Sequence, residues 1–163
     1  MMLAKLNEPD LLFVADRMRE WDRREVFATQ WDDDAAKLVS NILAGGEFGW
    51  VAGVDGLPVA AFGAIPVWNG VWQVWMFATD DWPKVALGVT RFIKKVMIPA
   101  LEEVGCHRAE CRSMDGHDVA HRWLECLGAH KESELPHFGR DGQTFYLYCW
   151  TRPISRPHSR EPK

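Results

Sequence analysis

Long hydrophobic runs are missing from this 163-residue sequence, and without one no membrane-spanning segment is expected. No secretion signal is expected either, because Glu8 and Asp10 interrupt "MMLAKLNEPDLLFVADRMRE" before a long apolar run can form. Cysteine is sparse. The four, at 106, 111, 126 and 149, form no C-x-x-C pair and lie late in the chain, which points to free thiols in a reducing cytoplasm and not to a disulfide framework. Positive charge is not in excess: 19 Lys and Arg against 23 Asp and Glu give a net charge of −4, so nothing global steers the chain to nucleic acid or an acidic membrane. Tyrosine is scarce as well, with only Tyr146 and Tyr148, which limits the phenolic proton donors on offer.

What is abundant is core material. Hydrophobic residues make up 47% of the chain and nine are tryptophan, enough for one folded domain and too little length for two. The expected domain spans residues 1–150. Residues 151–163, "TRPISRPHSREPK", place Arg152, Arg156, Arg160 and Lys163 among prolines and read as a disordered basic tail. There is no internal repeat.

The punctuation orders the elements. A short strand over residues 2–6 precedes a helix from Pro9, on which Leu11, Val14, Ala15, Met18 and Trp21 share a face. A second helix, "WDDDAAKLVSNILAGG", has its acids at the N-terminal end and Gly45 as its stop. Three strands follow. "EFGWVAGV" leads through the turn Asp55-Gly56 to "LPVAAFGAI", which should run out at Pro66, and Asn69-Gly70 opens "VWQVWMFAT". A long helix is expected over 82–104, buried through Val85, Val89, Phe92, Ile93, Val96, Met97 and Leu101 and kinked or divided at Pro99. "CHRAECRS" is a strand and "DGHDVAHRWLECLG" a helix, with Asp115 as candidate N-cap and Gly128 as candidate C-cap. "AHKESEL" and "QTFYLYCW" close the sheet as an antiparallel pair around "FGRDG". The result is an α/β (α+β) chain with a mostly antiparallel sheet and one central parallel strand–helix–strand crossover, Val71 to Ser113. Ligands of such sheets bind beside the N-terminus of the crossover helix, which here is the stretch "MFATDDWPKVALG".

This layout resembles the GNAT superfamily of acyl-CoA N-acyltransferases from Met2 to Trp150. The best local match is "HDVAHRWLECLGAHKESE", similar to the family's late Asn-x-x-Ala-x-x-Phe-Tyr-x-x-x-Gly-Phe segment, with His117, Ala120, Trp123, Leu124, Gly128 and Ala129 on its positions. "VWMFATDD", "RWLECLGA" and "RDGQTFYLY" bring it nearer still to the GNAT-like internal virion proteins of short-tailed phages. That resemblance implies a protein of the virion or of its assembly, with a virion or host protein as partner and weak or no catalysis. The alternative is an active acetyl-CoA-dependent N-acetyltransferase.

The residues bear on which. The family's phosphate cradle, Gln/Arg-x-x-Gly-x-Gly/Ala, falls on Trp82-Pro83-Lys84-Val85-Ala86-Leu87, which contains no glycine. Glycines let backbone N–H groups reach a pyrophosphate, whereas Pro83 removes a donor and Asp80 and Asp81 bring negative charge. If acetyl-CoA binds, the resemblance assigns it to Phe77, Ala78, Thr79, Lys84 and Val85. Leu124 stands where the family carries its tyrosine donor. Glu110 and Asp80 are the candidate bases, with Glu47, Asp81 and His107 also possible by position. A zinc set of Cys106, Cys111, His117 and His121 fails on strand parity, so no metal is expected. Ser113, Asp115 and His117 lie too close together for a triad. The tryptophans of "WNGVWQVWMF" read as core packing and not as a base-stacking platform.

Overall fold

The computed structural model describes residues 1–154. Its elements in chain order are β1 (Met2–Lys5), α1 (Glu8–Asp16), α2 (Glu20–Ala28), α3 (Ala35–Ala44), β2 (Gly49–Val54), β3 (Leu57–Trp68), β4 (Val71–Ala78), α4 (Ala86–Phe92), α5 (Ile98–Glu103), β5 (Arg108–Met114), α6 (Asp118–Cys126), β6 (His130–Leu135) and β7 (Phe145–Thr151). One seven-stranded sheet has the order β1-β2-β3-β4-β5-β7-β6. All its neighbours are antiparallel except β4 and β5, the expected parallel crossover. No helix among the described residues is long and apolar enough to cross a membrane.

Two apolar layers hold the sheet. On one face Leu11, Val14, Leu38 and Ile42 bury against Val51, Ala61 and Phe77. On the other, Val85, Val89, Ile93, Met97 and Leu101 pack on Ala60, Phe62 and Ala109. Each such aliphatic or aromatic side chain contributes about 1.5–3 kcal/mol when withdrawn from water. The turn at Asp55-Gly56 takes φ 53° and 78°, the positive pair that a two-residue hairpin needs.

Several expected elements differ. The first helix is two, α1 and α2, because the Arg19 N–H donates to the Ala78 carbonyl of β4 at 2.9 Å and so leaves the helical ladder. The break turns Trp21 out of the core to stack on His117, with ring centroids 5.6 Å apart. Strand β3 does not stop at Pro66 but continues to Trp68. The Ala64 N–H already bonds Phe48 O at the end of β2, so the donor that Pro66 lacks would face an edge with no strand beside it.

The expected helix over 82–104 is a 3₁₀ turn (Trp82–Lys84), α4, a π-helical turn (Ile93–Met97) and α5. The π turn, closed by the Ile98 N–H on Ile93 O, widens the helix just before Pro99 and absorbs the missing donor. It also shifts the helical phase, which leaves Val96 exposed while Met97 and Leu101 stay buried. Asp115 does not cap α6. Its carboxylate accepts from the Tyr146 hydroxyl at 3.0 Å, and His117 is the N-cap. Gly128, at φ 94°, follows the helix end as expected.

At the C-terminus, Thr151 pairs with Arg108, and the Arg152 guanidinium donates to the carbonyls of Cys106 and Glu102, both at 2.6 Å. Residues 155–163 of the expected tail lie outside the described residues.

Candidate active site

The parallel ladder between β4 and β5 is short: Val71, Trp72 and Gln73 pair with Arg108, Ala109 and Glu110, and beyond them the strands part. A cavity of about 680 Å³ opens at the gap and extends beyond it to Leu38 and Ile42 of α3 and Ile65 of β3. Its lining comes from both faces of the sheet: Glu25, Trp75 and Arg112 on the side of α2, and Met76, Trp123 and Leu124 on the side of α4 and α6. Strand alternation explains what the gap offers. The Thr79 N–H bonds Val59 O of β3, while the groups of Ala78 point the other way. Met76 therefore also turns its N–H and C=O towards the gap, where β5 no longer runs alongside. Ser113, 2% exposed, lines the same cavity with a buried hydroxyl that has no partner among the described residues.

At one wall, α2 brings two carboxylates to His117. Nε2 of His117 lies 3.4 Å from Asp22 Oδ1, and Nδ1 contacts Glu25 Oε2. The i, i+3 spacing places Asp22 and Glu25 on one helical face. Asp22 is almost fully buried. Its Oδ2 accepts from the Ala78 N–H at 2.8 Å and lies 2.8 Å from Arg19 Nε. Burial pushes its carboxyl above the ordinary value, against the opposing pull of Arg19. Glu25 is the more accessible of the two. One helical turn on, burial lowers the His121 imidazole, which packs against Tyr146 and Tyr148.

The residues expected to form the site separate into two groups. Phe77 and Leu124 line the cavity. Asp80, Lys84 and Val85 do not: Val85 is in the core, and Lys84 pairs with Asp81 at 3.0 Å in the exposed turn. Ala78 has both backbone groups engaged, its N–H by Asp22 and its carbonyl by the Arg19 N–H. Thr79 is buried, and its hydroxyl accepts from the Asp81 N–H at 3.3 Å. Glu110 lies between Arg108 at 2.9 Å and Arg112 at 3.5 Å. Trp82 packs edge-on behind Trp123 and does not itself line the cavity, so it does not plug the gap. The sequence reading missed Asp22 and Glu25. Their three-residue spacing was the available signal, but His117 lies 92 residues further along the chain from Glu25.

A second cluster was also missed. His130, Glu132 and Cys149 bring their side-chain ends together on the β6–β7 ladder. Arg108 grips Glu132 with two bonds, at 2.9 and 2.7 Å, and holds its carboxyl down to about 2. Burial, and then Glu132, push the Cys149 thiol up to about 11. The parity argument against Cys106 with Cys111, His117 and His121 as a zinc set rested on Cys106 being in the strand, yet β5 begins only at Arg108.

Acetyl-CoA can be tested against these residues in two parts. The gap suits an extended amide-bearing arm, since Met76 presents backbone donor and acceptor there and the lining is largely apolar. The turn suits a pyrophosphate less well. The N–H groups of Asp81, Trp82, Lys84 and Val85 all bond within residues 79–82, and Pro83 has none.

No protein-family model matches the chain, and no curated protein is similar to it in sequence. Solved structures are similar in fold. Ard1 from Thermoplasma volcanium superposes with a TM-score of 0.71 at 14% identity, covering 92% of this chain and 96% of that one. The ribosomal-protein-S18-alanine N-acetyltransferase from Escherichia coli gives 0.67 at 13%, covering 99% of both chains. A GNAT-family acetyltransferase from Bacillus anthracis gives 0.62 at 12%, covering 91% and 93%. The mixed sheet, its parting central strands and these neighbours together show that the chain has the GNAT acetyltransferase fold.

Proposed function

We propose that the chain is an acyl-CoA-dependent N-acyltransferase. The observation that carries this reading is the cavity between β4 and β5, lined from both faces of the sheet. Transfer between two substrates requires that they meet at one point from separate sides, and this gap provides for that. Bound acetyl-CoA would supply an already activated thioester. Met76 would hold its amide arm, and the amine would approach past α2. Glu25, the more accessible carboxylate at the cavity wall, takes the proton that the attacking amine sheds. His117 and Asp22 fix Glu25 and the end of β4 in place. Leu124 offers no proton to the departing sulfur, which leaves as a weakly basic thiolate.

The second reading, a virion or assembly protein with weak or no catalysis, rests for its lack of catalysis on the self-bonded turn at 79–85. Neither the fold nor the named neighbours favours its virion half.

Calorimetry with acetyl-CoA separates the two. The enzyme reading predicts binding in the micromolar range. Lys84→Glu should weaken it by about two- to fivefold and the double change Asp80→Asn, Asp81→Asn should strengthen it by a similar factor, the scale of one exposed charge pair. No heat at high acetyl-CoA concentration contradicts the enzyme reading.

A further inference from the structure

The cluster on the β6–β7 ladder lies outside the cavity and has no part in the chemistry above. We propose that His130, Glu132 and Cys149 form a binding site for one divalent, borderline-soft cation of the Zn²⁺ type. Sheet register sets the geometry: His130 and Cys149 are direct partners across the ladder, so their side chains leave the same face side by side. Cys149 Sγ is 3.3 Å from His130 Nε2 and 3.0 Å from Glu132 Oε2, and the three ligand atoms all lie within 4.8 Å of one another. Sulfur–nitrogen and sulfur–oxygen separations around a tetrahedral zinc are ~3.5 Å, from bond lengths of about 2.3 and 2.0 Å. The sulfur thus needs to draw away from its two partners by only about half an ångström or less.

The donor set decides the class of ion. A thiolate, an imidazole and a carboxylate suit Zn²⁺ and disfavour Ca²⁺ or Mg²⁺, which take oxygen ligands. Cys149 is fully buried while His130 and Glu132 are exposed, so a fourth position opens on the solvent side. Binding replaces the thiol proton, now donated to Glu132, with the cation and releases that proton to solvent. Arg108 is the competitor, because it holds both oxygens of Glu132. It need not be expelled: its Nε already bonds Glu110 at 2.9 Å, and Nη2 can keep Oε1 while Oε2 turns to the metal. The bound ion would tie the edge strand β6 to β7.

The test is a Co²⁺ titration of the full, metal-stripped chain, following the near-ultraviolet thiolate-to-cobalt band, with Zn²⁺ as competitor. The expected result is a band that saturates at one equivalent and is bleached by Zn²⁺. It should persist in the triple variant Cys106→Ser, Cys111→Ser, Cys126→Ser and vanish in Cys149→Ser. His130→Ala should weaken binding at least about tenfold, the lower end of what loss of even an outer-shell partner costs. No band in the wild type, or a band that survives Cys149→Ser, overturns the proposal. If circular dichroism shows that Cys149→Ser does not fold, the exposed positions decide: undiminished affinity in both His130→Ala and Glu132→Gln overturns it equally.

Discussion

If the proposed function holds, Glu25→Gln should lower the rate of acyl transfer by about 10²–10⁴-fold, the range of a lost general base, while acetyl-CoA binding should stay within about twofold. The substitution keeps the shape of the side chain but removes its ability to take a proton, together with its negative charge beside His117. Glu25 touches His117 Nδ1 and lines the cavity on the side of α2, whereas Met76, assigned to the cofactor arm, belongs to β4. Base and cofactor contacts are therefore separable. Steady-state kinetics against both substrates checks this: kcat should fall with the KM for acetyl-CoA unchanged. An unaltered kcat would assign the proton to another group.

Asp22→Ala lowers stability by about 3–5 kcal/mol, the cost of breaking a buried charge pair from one side. Two groups lose a partner at once: the largely buried Arg19 guanidinium loses its ion pair, and the Ala78 N–H at the end of β4 loses its acceptor. With slopes of about 1–3 kcal/mol per molar urea, the unfolding midpoint should fall by about 1–5 M. Asp22→Asn should cost less, because an amide oxygen still accepts from Ala78 and burial already disfavours the negative charge it removes. Its pH dependence has a definite sign. Burial raises the folded carboxyl above 3.8, so the stability linked to its proton is fully present below that value and is lost as pH rises through the folded value. The stabilities of wild type and Asp22→Asn should accordingly converge in acid. Equal losses for Ala and Asn would mean that the negative charge, and not the acceptor, holds α2 to β4.

Much of the fold was legible in the sequence because it follows local rules. Asp55-Gly56 demanded positive φ, Gly128 ended a helix, and the strand–helix–strand unit from Val71 to Ser113 required a parallel pair. What was not legible came from contacts distant in sequence. Nothing local to Arg17–Arg19 announces a helix break, since its cause is a carbonyl on β4 almost 60 residues away. The π turn before Pro99 answers a missing donor in a way that periodicity alone does not reveal, and it reversed the burial expected of Val96. The site divides along the same line. The gap adjoins only the first residues of the stretch expected to bind a ligand: Met76 and Phe77 line it, whereas Asp80, Lys84 and Val85 do not. The carboxylates at His117 did not show, because the expected first helix ran unbroken to Trp21 and set it on the apolar face. The thiol cluster was equally hidden. His130 and Cys149 meet only through ladder register, and Glu132 joins them next to a register shift between Lys131 and Ser133.

The central claim is that an acyl-CoA thioester occupies the gap between β4 and β5. Amide hydrogen exchange of the full chain, with and without saturating acetyl-CoA, tests it most directly. The account predicts slowed exchange at Met76 and along residues 111–114, with residues 1–5 and β6 unchanged. Unchanged exchange along both β4 and β5 at saturating acetyl-CoA would contradict it.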